Sequence, residues 1–370
     1  MKIAYANDGV SEYDAFFLNS LSQKYDVSLL TFHSGPDRVP PNVKIVEMRD
    51  FIPETGLHPF EGIRKHALTL FRARTLAKTL RSISPDVLIG NWASTYGFYS
   101  AQSNFHPFIL FVWGSDVLIF PRKYFPLKPL IASAIAKADA IVVDSNIQEE
   151  ATVHLGGDIH KILKFPWIDS DAFNAVPSTL LREQWGWSEN DIVVVCARHH
   201  KPIYGIAHLV EAIPRILRKE PETKFLFIGE GPLTSTFKQR LRRFIDNGNV
   251  KFVGKIPHEE MPEHLSAGNI YVSPSFSDGT SATLLEAMKC GLTPVVTEIP
   301  GNKEWISHGV NGLLVPVANS KKLAAQILRL ARNRQLMERL QKNAKQTIRR
   351  RVDWQKNFGK LSRLIEHLGS

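Results

Sequence analysis

The sequence IYVSPSFSDGTSATLLEAMKCGLTPVVT, which spans residues 270–297, contains a strand, a helix and a second strand in that order. The apolar runs Ile270–Ser273 and Thr293–Thr297 are typical of buried strands, and the helical pattern between them begins after a turn of small residues. Gly279 permits a tight backbone path in that turn. Because parallel strands need a crossover connection between them, the stretch predicts one unit of a parallel α/β sheet.

The same alternation of apolar runs and helical patterns extends along the chain in two series. The first series predicts strands at Ile3–Ala6, Val27–Thr31, Val43–Met48, Val87–Ile89, Phe108–Val112 and Ile141–Asp144. The second series predicts strands at Ile192–Ala197, Phe225–Ile228, Val250–Val253, Ile270–Ser273 and Thr293–Thr297. Two such series predict two Rossmann-like, doubly wound parallel sheets, which bind ligands beyond the carboxyl ends of their strands.

An interruption in the alternation of predicted strands and helices marks the expected domain boundary. Proline and polar residues interrupt the pattern at Lys164–Asp169. We therefore expect one domain over residues 1–165 and a second over residues 166–352. A chain of 370 residues is long enough for two such domains, and its apolar fraction of 44% is typical of folded proteins.

Cysteine use and the start of the chain predict a cytoplasmic protein. The two cysteines, Cys196 in a predicted strand and Cys290 at a predicted helix end, are too few for a disulfide framework or a metal cage. Residues 1–9 contain no secretory hydrophobic core, and no stretch reaches the roughly 18 apolar residues of a transmembrane helix. We expect two packed thiols and a protein that is soluble or peripheral to a membrane.

Positive charge is concentrated in the second half of the chain. The net charge is +10, and residues 1–170 are neutral overall, so the excess lies in residues 171–370. Much of it is on the predicted helices Arg215–Lys219, Lys238–Arg243 and Lys321–Arg351. Solvated helix faces, an anionic membrane contact and nucleic-acid binding all fit such charge. Nucleic acid is the least favoured, because aromatic residues are not interleaved with the basic ones.

Two carboxylates, Asp278 and Glu286, flank the turn and the start of the helix. The free N–H groups from Thr280 to Leu284 form the positive end of the helix dipole, where a phosphate group fits. Thr283-x-x-Glu286 also matches a capping box, in which Glu286 bonds only the backbone of Thr283. A glycosidase pair is disfavoured, because eight helical residues span about 12 Å and such a pair needs roughly 5–10 Å. A phosphate site and a helix cap therefore both stay open.

This stretch resembles the retaining glycosyltransferases of family 4, the group 1 glycosyl transferases, whose E-x7-E signature is matched by Asp278 and Glu286. The first acid departs from the signature, since it is Asp. Downstream, residues 291–296, 301–305 and 309–315 resemble the strand, loop and turn that follow the signature helix in the family. The resemblance implies the GT-B fold, in which two Rossmann-like domains face a central cleft. It assigns Glu286 to the ribose hydroxyls and Asp278 to the transferred sugar.

The resemblance implies further residues of the donor site. Arg198 matches an arginine that stabilises the diphosphate, and its planar fork suits that group. The position of the usual lysine holds Tyr204, and Lys201 is a candidate replacement for that cation. His199 and His200 lack the spacing of metal ligands, so we expect them to line the cleft or face water. The other implied donor-binding residues are Gly279, Thr280, Ser281, Thr283, Leu284, Gly254, Lys255, Ile256, Gly231 and Gly9.

The resemblance also gives each domain a role. It implies acceptor binding by residues 1–165, nucleotide-sugar binding by residues 166–352, and a helix over residues 353–370 that crosses back to the first domain. In the first domain, Phe120–Leu130 mixes apolar and basic residues on what should be a loop. Two interpretations stay open for this segment: a seat for a lipid-linked acceptor at a membrane surface, and an ordinary connector.

Residues 113–116 carry the expected sugar contacts of the first domain. Trp113 stands where many family members have a histidine that contacts the donor sugar. An indole N–H can only donate, so Trp113 either stacks on a sugar ring or packs in the core. Gly114 continues this loop. Ser115 and Asp116 are candidates to meet sugar hydroxyls, and Asp116 is also a candidate helix N-cap.

Together, the residues and the resemblance predict a retaining hexosyltransferase. We expect it to move a hexose or N-acetylhexosamine from a nucleoside diphosphate sugar, UDP in preference to GDP, to a saccharide or lipid-linked acceptor in polysaccharide or glycoconjugate synthesis. No metal or cofactor is expected, because in this family the departing phosphate takes the acceptor proton. The alternatives are a GT-B epimerase and a non-catalytic nucleotide-binding or scaffold protein. A dehydrogenase is disfavoured, because no G-x-G-x-x-G follows the first predicted strand.

Overall fold

Two parallel sheets, one in each of two units of the chain, organise the structure. The computed structural model describes residues 1–8, 11–36, 38–49, 61–168, 172–176 and 179–370, with the backbone alone at residues 12 and 61–67. Residues 1–167 together with 355–370 form the first unit, and residues 168–354 form the second. The predicted α/β architecture with two doubly wound parallel sheets is confirmed.

The first unit contains a parallel sheet covered by helices. Its strands are β1 (Lys2–Ala6), β2 (Asp26–Thr31), β3 (Lys44–Glu47), β4 (Val87–Asn91), β5 (Phe108–Phe111), β6 (Ala140–Val143) and β7 (Ile162–Lys164). They pair in parallel in the order β3-β2-β1-β4-β5-β6-β7. Its helices are α1 (Glu12–Ser22), α2 (Glu61–Ile83), α3 (Tyr96–Ser103), α4 (Ser115–Leu118), α5 (Phe120–Lys123), α6 (Lys128–Lys137) and α7 (Asn146–His154), with 3₁₀ turns at Phe125–Leu127 and Ile159–Lys161.

The second unit repeats this arrangement with its own sheet. Its strands are β8 (Val193–Ala197), β9 (Lys224–Ile228), β10 (Val250–Gly254), β11 (Ile270–Ser273), β12 (Thr293–Thr297) and β13 (Leu313–Val315). They pair in parallel in the order β10-β9-β8-β11-β12-β13. Its helices are α8 (Thr179–Gln184), α9 (Ile206–Leu217), α10 (Thr234–Asp246), α11 (Met261–Ser266), α12 (Ala282–Cys290), α13 (Pro300–Trp305), α14 (Ser320–Ala331) and α15 (Arg334–Arg351), with 3₁₀ turns at Pro202–Tyr204 and His258–Glu260.

Strand β8 shows why the central strands read as continuous apolar runs. Val194 and Cys196 enter one hydrophobic core, which they share with α9 and α14. Val193 and Val195 enter a second core on the opposite face, which they share with α12 and α15. Successive side chains of a strand point to opposite faces, so a sheet buried on both faces needs an apolar residue at every position.

The structure differs from the sequence predictions at two short strands. Strands β7 and β13 are absent from the predicted set, because three-residue strands give too little pattern. The predicted break at Lys164–Asp169 therefore begins at the end of β7. The sequence predicts a turn over residues 309–315, but this segment contains β13. It predicts a loop over residues 301–305, but these residues lie in α13.

The segment Phe120–Leu130, predicted to be a loop, is mostly helical. It consists of α5, the 3₁₀ turn Phe125–Leu127 and the first turn of α6. Pro121, Pro126 and Pro129 each occupy a first or second helical position. Proline is tolerated there because the N–H that it lacks would have no partner in the helix. The prolines that suggested a loop instead begin three helical turns.

The last helix, α16 (Trp354–Gly369), belongs to the first unit from residue 355 onward. The Tyr25 hydroxyl donates to Glu366 Oε1 at 3.1 Å, and Lys24 Nζ lies 2.6 Å from the same oxygen. This pair is exposed and adds little stability, whereas the buried Leu361 and Ile365 contribute hydrophobic packing. Among the described helices, none is long and apolar enough to cross a bilayer.

Candidate functional site

The predicted site residues Arg198 and Asp278 meet at the carboxyl ends of β8 and β11. Arg198 Nη2 donates to Asp278 Oδ2 in a short ion pair. Arg198 Nη1 donates to Ser281 Oγ at 2.6 Å and to Thr283 Oγ1 at 3.3 Å. The side chains of Arg198 and Asp278 are only 8% and 19% exposed. The guanidinium is therefore fixed against the turn that precedes α12.

Tyr204 completes the surroundings of the Arg198 guanidinium. The guanidinium carbon lies 4.2 Å from the centroid of the Tyr204 ring, within the range of a cation–π contact. Burial alone would lower the pKa of Arg198, but Asp278 outweighs it and raises that pKa. Arg198 Nε is buried and has no hydrogen-bond partner within the described residues. A charged and oriented arginine with a spare donor therefore stands at this point.

The 3₁₀ turn Pro202–Tyr204 brings Tyr204, and not Lys201, to the guanidinium. Lys201 is exposed and precedes this turn. A stacking ring thus occupies the side of Arg198 where the sequence suggested a second cation. We therefore do not include Lys201 among the residues of the candidate site.

Helix α12 begins at Ala282, and its N-cap is Ser281. Ser281 Oγ accepts a hydrogen bond from Leu284 N at 3.4 Å. The capping box requires Thr283 as the cap, so this alternative for Glu286 is wrong. Glu286 lies two residues beyond the position from which a side chain can bond the cap backbone.

The turn before α12 is held by contacts from α13. A Cβ atom on Gly301 would lie 2.1 Å from the carbonyl oxygen of Gly279 and 2.6 Å from that of Asp278. Only glycine therefore allows this approach of the two backbones. Trp305 Nε1 donates to Thr280 Oγ1 at 3.3 Å on the same side. These contacts fix the backbone of the predicted donor-binding residues.

Glu286 is buried beside a histidine that sequence reasoning missed. Its side chain is 2% exposed, and its Oε1 lies 3.3 Å from His258 Nε2. Its Oε2 has no hydrogen-bond partner among the described residues. A buried carboxylate oxygen without a protein partner is costly unless another hydrogen-bond donor reaches it. His258 lies 28 residues before Glu286, and no local pattern signals this pairing.

A cavity of about 790 Å³ lies beside the glycine turn after β9. Its lining includes Gly231 and Lys255 from the predicted donor site, and its other lining residues are His199, Gly229, Glu230, Thr234, Ser235 and Lys238. A Cβ on Gly231 would lie 2.8 Å from the carbonyl oxygen of His200, so the turn requires glycine. Gly254 has a φ of +77° at the end of β10. Ile256 follows as a partly buried residue packed on the second core.

The two adjacent histidines have different environments. His199 is exposed and lines the cavity. His200 is fully buried, and its Nδ1 lies 2.7 Å from Thr234 Oγ1. Burial lowers the pKa of His200 to about 4, so the ring is neutral at pH 7. The expectation that both rings line a cleft or face water is wrong for His200, which is a core residue.

Trp113 in the first unit stacks against two other indoles. Its ring centroid lies 4.9 Å from that of Trp167 and 5.9 Å from that of Trp92, at interplanar angles of 14° and 15°. Its Nε1 donates to Asn91 Oδ1 at 3.0 Å. Of the two roles considered for Trp113, packing is the one that the structure shows. Because its ring stacks on Trp92 and Trp167, we leave Trp113 out of the proposed sugar contacts.

Asp116 forms part of the same turn and is fully buried. Its carboxylate accepts hydrogen bonds from the backbone N–H groups of Ala93 at 2.9 Å, Gly114 at 2.9 Å and Trp113 at 3.2 Å. The N-cap of α4 is Gly114, with a φ of 108°, so Asp116 is not that cap. Burial raises the pKa of Asp116 to about 6, against the backbone donors, which lower it. Its oxygens are occupied, whereas Ser115 is partly exposed.

Two further predictions concern residues outside this geometry. Gly9 lies outside the described residues. Cys196 and Cys290 are buried and unpaired, and burial raises the pKa of each thiol to about 12. Within the described ranges, no group of three histidine, cysteine or acidic side chains is arranged to hold a metal ion.

Two protein families match the chain, one in each unit. Residues 178–347 match the family described as glycosyl transferases group 1, and residues 2–145 match the family described as glycosyl transferase 4-like. Among curated relatives, the chain is 25% identical over 238 residues to N-acetyl-alpha-D-glucosaminyl L-malate synthase of Bacillus anthracis, covering 64% of this chain and 61% of that protein.

A second relative is the GDP-mannose-dependent alpha-(1-6)-phosphatidylinositol monomannoside mannosyltransferase of Mycolicibacterium smegmatis. It is 28% identical over 159 residues, which cover 40% of this chain and 41% of the relative. Both matches thus span less than two thirds of the relatives' lengths.

Solved structures share the fold over the whole chain. HepE from Anabaena, crystallised in complex with UDP, has a TM-score of 0.80 at 18% identity, and the match covers 100% of both chains. Sucrose-phosphate synthase from Thermosynechococcus elongatus has a TM-score of 0.82 at 17% identity, over 100% of this chain and 99% of that one. At these identities the likeness establishes the fold alone, which is the GT-B fold that the sequence predicts.

Proposed function

The chain belongs to the group 1 glycosyl transferases, and from this premise we propose that it moves a hexose or N-acetylhexosamine from a nucleoside diphosphate sugar to a saccharide or lipid-linked saccharide acceptor. We further propose that the transfer retains the configuration of the sugar and needs neither metal nor cofactor. The donor site lies in the second unit, around Arg198, Asp278, Glu286 and the turn Gly279–Ser281.

The observation that carries this proposal is the buried Glu286 carboxylate with one unpartnered oxygen. His258 faces its Oε1, and Oε2 has no partner within the described residues. A pair of ribose hydroxyls offers the two donors that a carboxylate accepts best. Arg198, with its unpartnered Nε–H, suits an oxygen of the diphosphate in the same way.

The reaction that these groups support is a same-face displacement at the sugar. The bond from the anomeric carbon to the diphosphate oxygen breaks, and a bond from that carbon to the acceptor oxygen forms. The acceptor proton passes to the departing phosphate, so no protein base is required. Arg198 stabilises the charge that grows on the leaving oxygen, and the backbone fixed by Gly301 positions the sugar.

UDP is the nucleotide that we propose, in preference to GDP. Support comes from proteins of the same fold that were crystallised with UDP and with UDP-glucose. The mannosyltransferase of Mycolicibacterium smegmatis is named as GDP-mannose-dependent, so the sequence relationship itself does not choose between the two. Titration of the protein with UDP, GDP and their glucose and mannose derivatives measures the choice directly.

Replacement of Glu286 by Gln tests the ribose assignment. We expect the Kd for UDP to rise about tenfold, because a hydrogen bond to a charged group contributes about 1.5–3 kcal/mol. The thermal midpoint of the free protein should hardly change, because Glu286 makes no capping contact. Isothermal titration calorimetry measures the affinity, and Glu259→Gln, an exposed neighbour of His258, is the matched control.

Equal UDP affinity for Glu286→Gln and the control would remove Glu286 from the donor site. A separate experiment tests the reaction class. Proton NMR of the first-formed product from a UDP-α-sugar should show the α-anomer, and the rate should be unchanged by EDTA. A β-product would contradict retention, and conversion of the donor without any acceptor would indicate an epimerase.

A further inference from the structure

The segment from Arg122 to Lys128 exposes aromatic side chains that the fold does not require. Phe125 is 75% exposed, the highest value among the large apolar side chains of the described residues, and Tyr124 is 45% exposed. The same segment is anchored by Phe120 and Leu127, which pack against the core of the first unit. The Tyr124 ring lies 5.8 Å from that of Phe120, centroid to centroid, so Phe125 is the aromatic side chain whose exposure the packing leaves unexplained.

Three basic residues surround these aromatic rings without carboxylate partners. Arg122, Lys123 and Lys128 are exposed, and no ion pair in the described part of the chain involves them. Lys123 Nζ lies 5.3 Å from the centroid of the Tyr124 ring. Residues 117–138 contain neither Asp nor Glu. We call Arg122, Lys123, Tyr124, Phe125 and Lys128 the aromatic–basic patch.

The acidic residues that flank this stretch do not neutralise the patch. Asp116 is fully buried under three backbone N–H groups. Asp139 lies 2.7 Å from His106 Nδ1. On the same sheet face, α2 packs into the core that α6 shares, and α2 exposes Leu70, Arg74 and Lys78. Every charged side chain within residues 117–138 is basic, so the patch carries positive charge around its exposed apolar groups.

We propose that the aromatic–basic patch docks on an anionic lipid bilayer. Phenylalanine and tyrosine side chains enter the boundary between head groups and acyl chains, and lysine and arginine attract anionic phospholipids. Two other surfaces lack one half of this combination. Helix α15 is strongly basic but contains no aromatic residue, and Leu180 on α8 is 68% exposed but follows no basic cluster.

The docking goes beyond the transfer reaction and does not depend on it. A protein held at a bilayer by this patch would have access to an acceptor that carries a lipid chain. Membrane binding requires no nucleotide, whereas UDP binding requires no membrane. Failure of one proposal therefore leaves the other intact, and each has its own assay.

Co-sedimentation of the full chain with lipid vesicles tests the proposal. We expect binding to phosphatidylcholine vesicles that contain about 30% phosphatidylglycerol, weak binding to phosphatidylcholine alone, and a loss of binding as salt rises. Phe125→Ser should lower the partition coefficient about tenfold, which corresponds to withdrawing one phenylalanine from an apolar phase. Reversal of two charges in Arg122→Glu/Lys123→Glu should lower it at least about thirtyfold.

Matched variants distinguish binding through the aromatic–basic patch from non-specific apolar binding and from an effect of total net charge. Leu180→Ser removes an equally exposed apolar group from the second unit, and Arg349→Glu/Arg350→Glu makes the same charge change on the exposed face of α15. Both should bind vesicles within about twofold of the wild type, since neither alters the patch. Unchanged thermal midpoints and far-ultraviolet circular dichroism spectra in all four variants show that each is folded.

Three results would overturn the docking proposal. They are wild-type protein that stays in the supernatant with anionic vesicles, patch variants that sediment as the wild type does, and equal losses in the patch and α15 variants. The last result would mean that binding follows total charge and not this surface.

Discussion

The charged groups at the strand ends of the two units differ in whether their hydrogen bonds are complete, although neutral atoms of the first unit (Ser94 Oγ, Ser145 Oγ and Gln148 Nε2) are also buried without partners among the described residues. In the second unit, Glu286 Oε2 and Arg198 Nε are buried without partners in the described residues. In the first unit, Asp116 accepts three backbone N–H groups, and Asn91 accepts from Trp113 while donating to the Ala6 carbonyl. Both sets lie where open α/β sheets place ligands.

The two units thus differ at charged groups, whose burial without a partner costs far more than that of a neutral hydroxyl or amide. The sequence placed candidate sugar contacts in both units by position. The Asp116 carboxylate accepts a hydrogen bond from the backbone N–H of Trp113, and Trp113 Nε1 donates to Asn91. Removing either side chain should therefore damage the fold. Glu286 Oε2 and Arg198 Nε can each form one more hydrogen bond. Removing either side chain should therefore damage ligand binding or turnover.

The largest effect is expected for Arg198→Ala. Loss of a donor that stabilises charge in the transition state should reduce kcat by about 10²–10³-fold. Steady-state kinetics at saturating donor measure this, and Arg215→Ala, an exposed arginine on α9, is the control. A kcat equal to that of the control would show that Arg198 has only a structural role. The strand-end residues of the two units would then not differ in function.

Asp116→Ala should give the converse result in the first unit. It leaves three buried backbone N–H groups without their acceptor, and we expect the free energy of unfolding to fall by about 3 kcal/mol. The Kd for UDP of the folded protein should stay unchanged. Urea denaturation and calorimetry measure the two quantities, with the exposed Asp26→Ala as control. A stable variant with a reduced transfer rate would mean that Asp116 contacts substrate after all.

His200, two residues after Arg198 in the second unit, is also expected to contribute to stability and not to ligand binding. Its folded-state pKa of about 4 lies below the ordinary histidine value, so its contribution to stability is present above pH 6.5. As pH falls from 6.5 towards 4, the unfolded chain takes up the proton first, and up to about 3 kcal/mol is lost. His200→Phe should flatten the pH profile of the unfolding free energy over this window more than His199→Phe does, because the pKa of the exposed His199 is also lowered by partial burial and by Lys201. Equal profiles for both variants would contradict a structural role for His200.

The sequence predicts the two sheets because their central strands are long and apolar. It misses β7 and β13, which have three residues each, and it misreads residues 120–130 because proline serves both turns and helix starts. In each case a local pattern has more than one physical solution, and packing against the rest of the unit selects one.

In the candidate site, too, the sequence predicts the contiguous motif but not the contacts between segments that are distant in the chain. The turn at Asp278 and the helix with Glu286 are contiguous in sequence, so their motif can be recognised. The pairing of Glu286 with His258 and the stacking of Tyr204 on Arg198 join separate loops, for which a single sequence contains no signal. Asp116 follows a strand, where an acid suits both a ligand contact and a backbone turn, and the structure shows its bonds to the turn.

The approach of Gly301 to the carbonyl groups of Asp278 and Gly279 has a consequence for engineering donor preference. The loop before α12 and the first turn of α13 are interlocked, since any side chain at position 301 would collide with the loop backbone. A donor loop transplanted from a related enzyme would therefore have to arrive with its own partner segment. Residues 278–281 and 300–305 form one exchangeable cassette, and swapping either half alone would yield a chimera with a misplaced backbone.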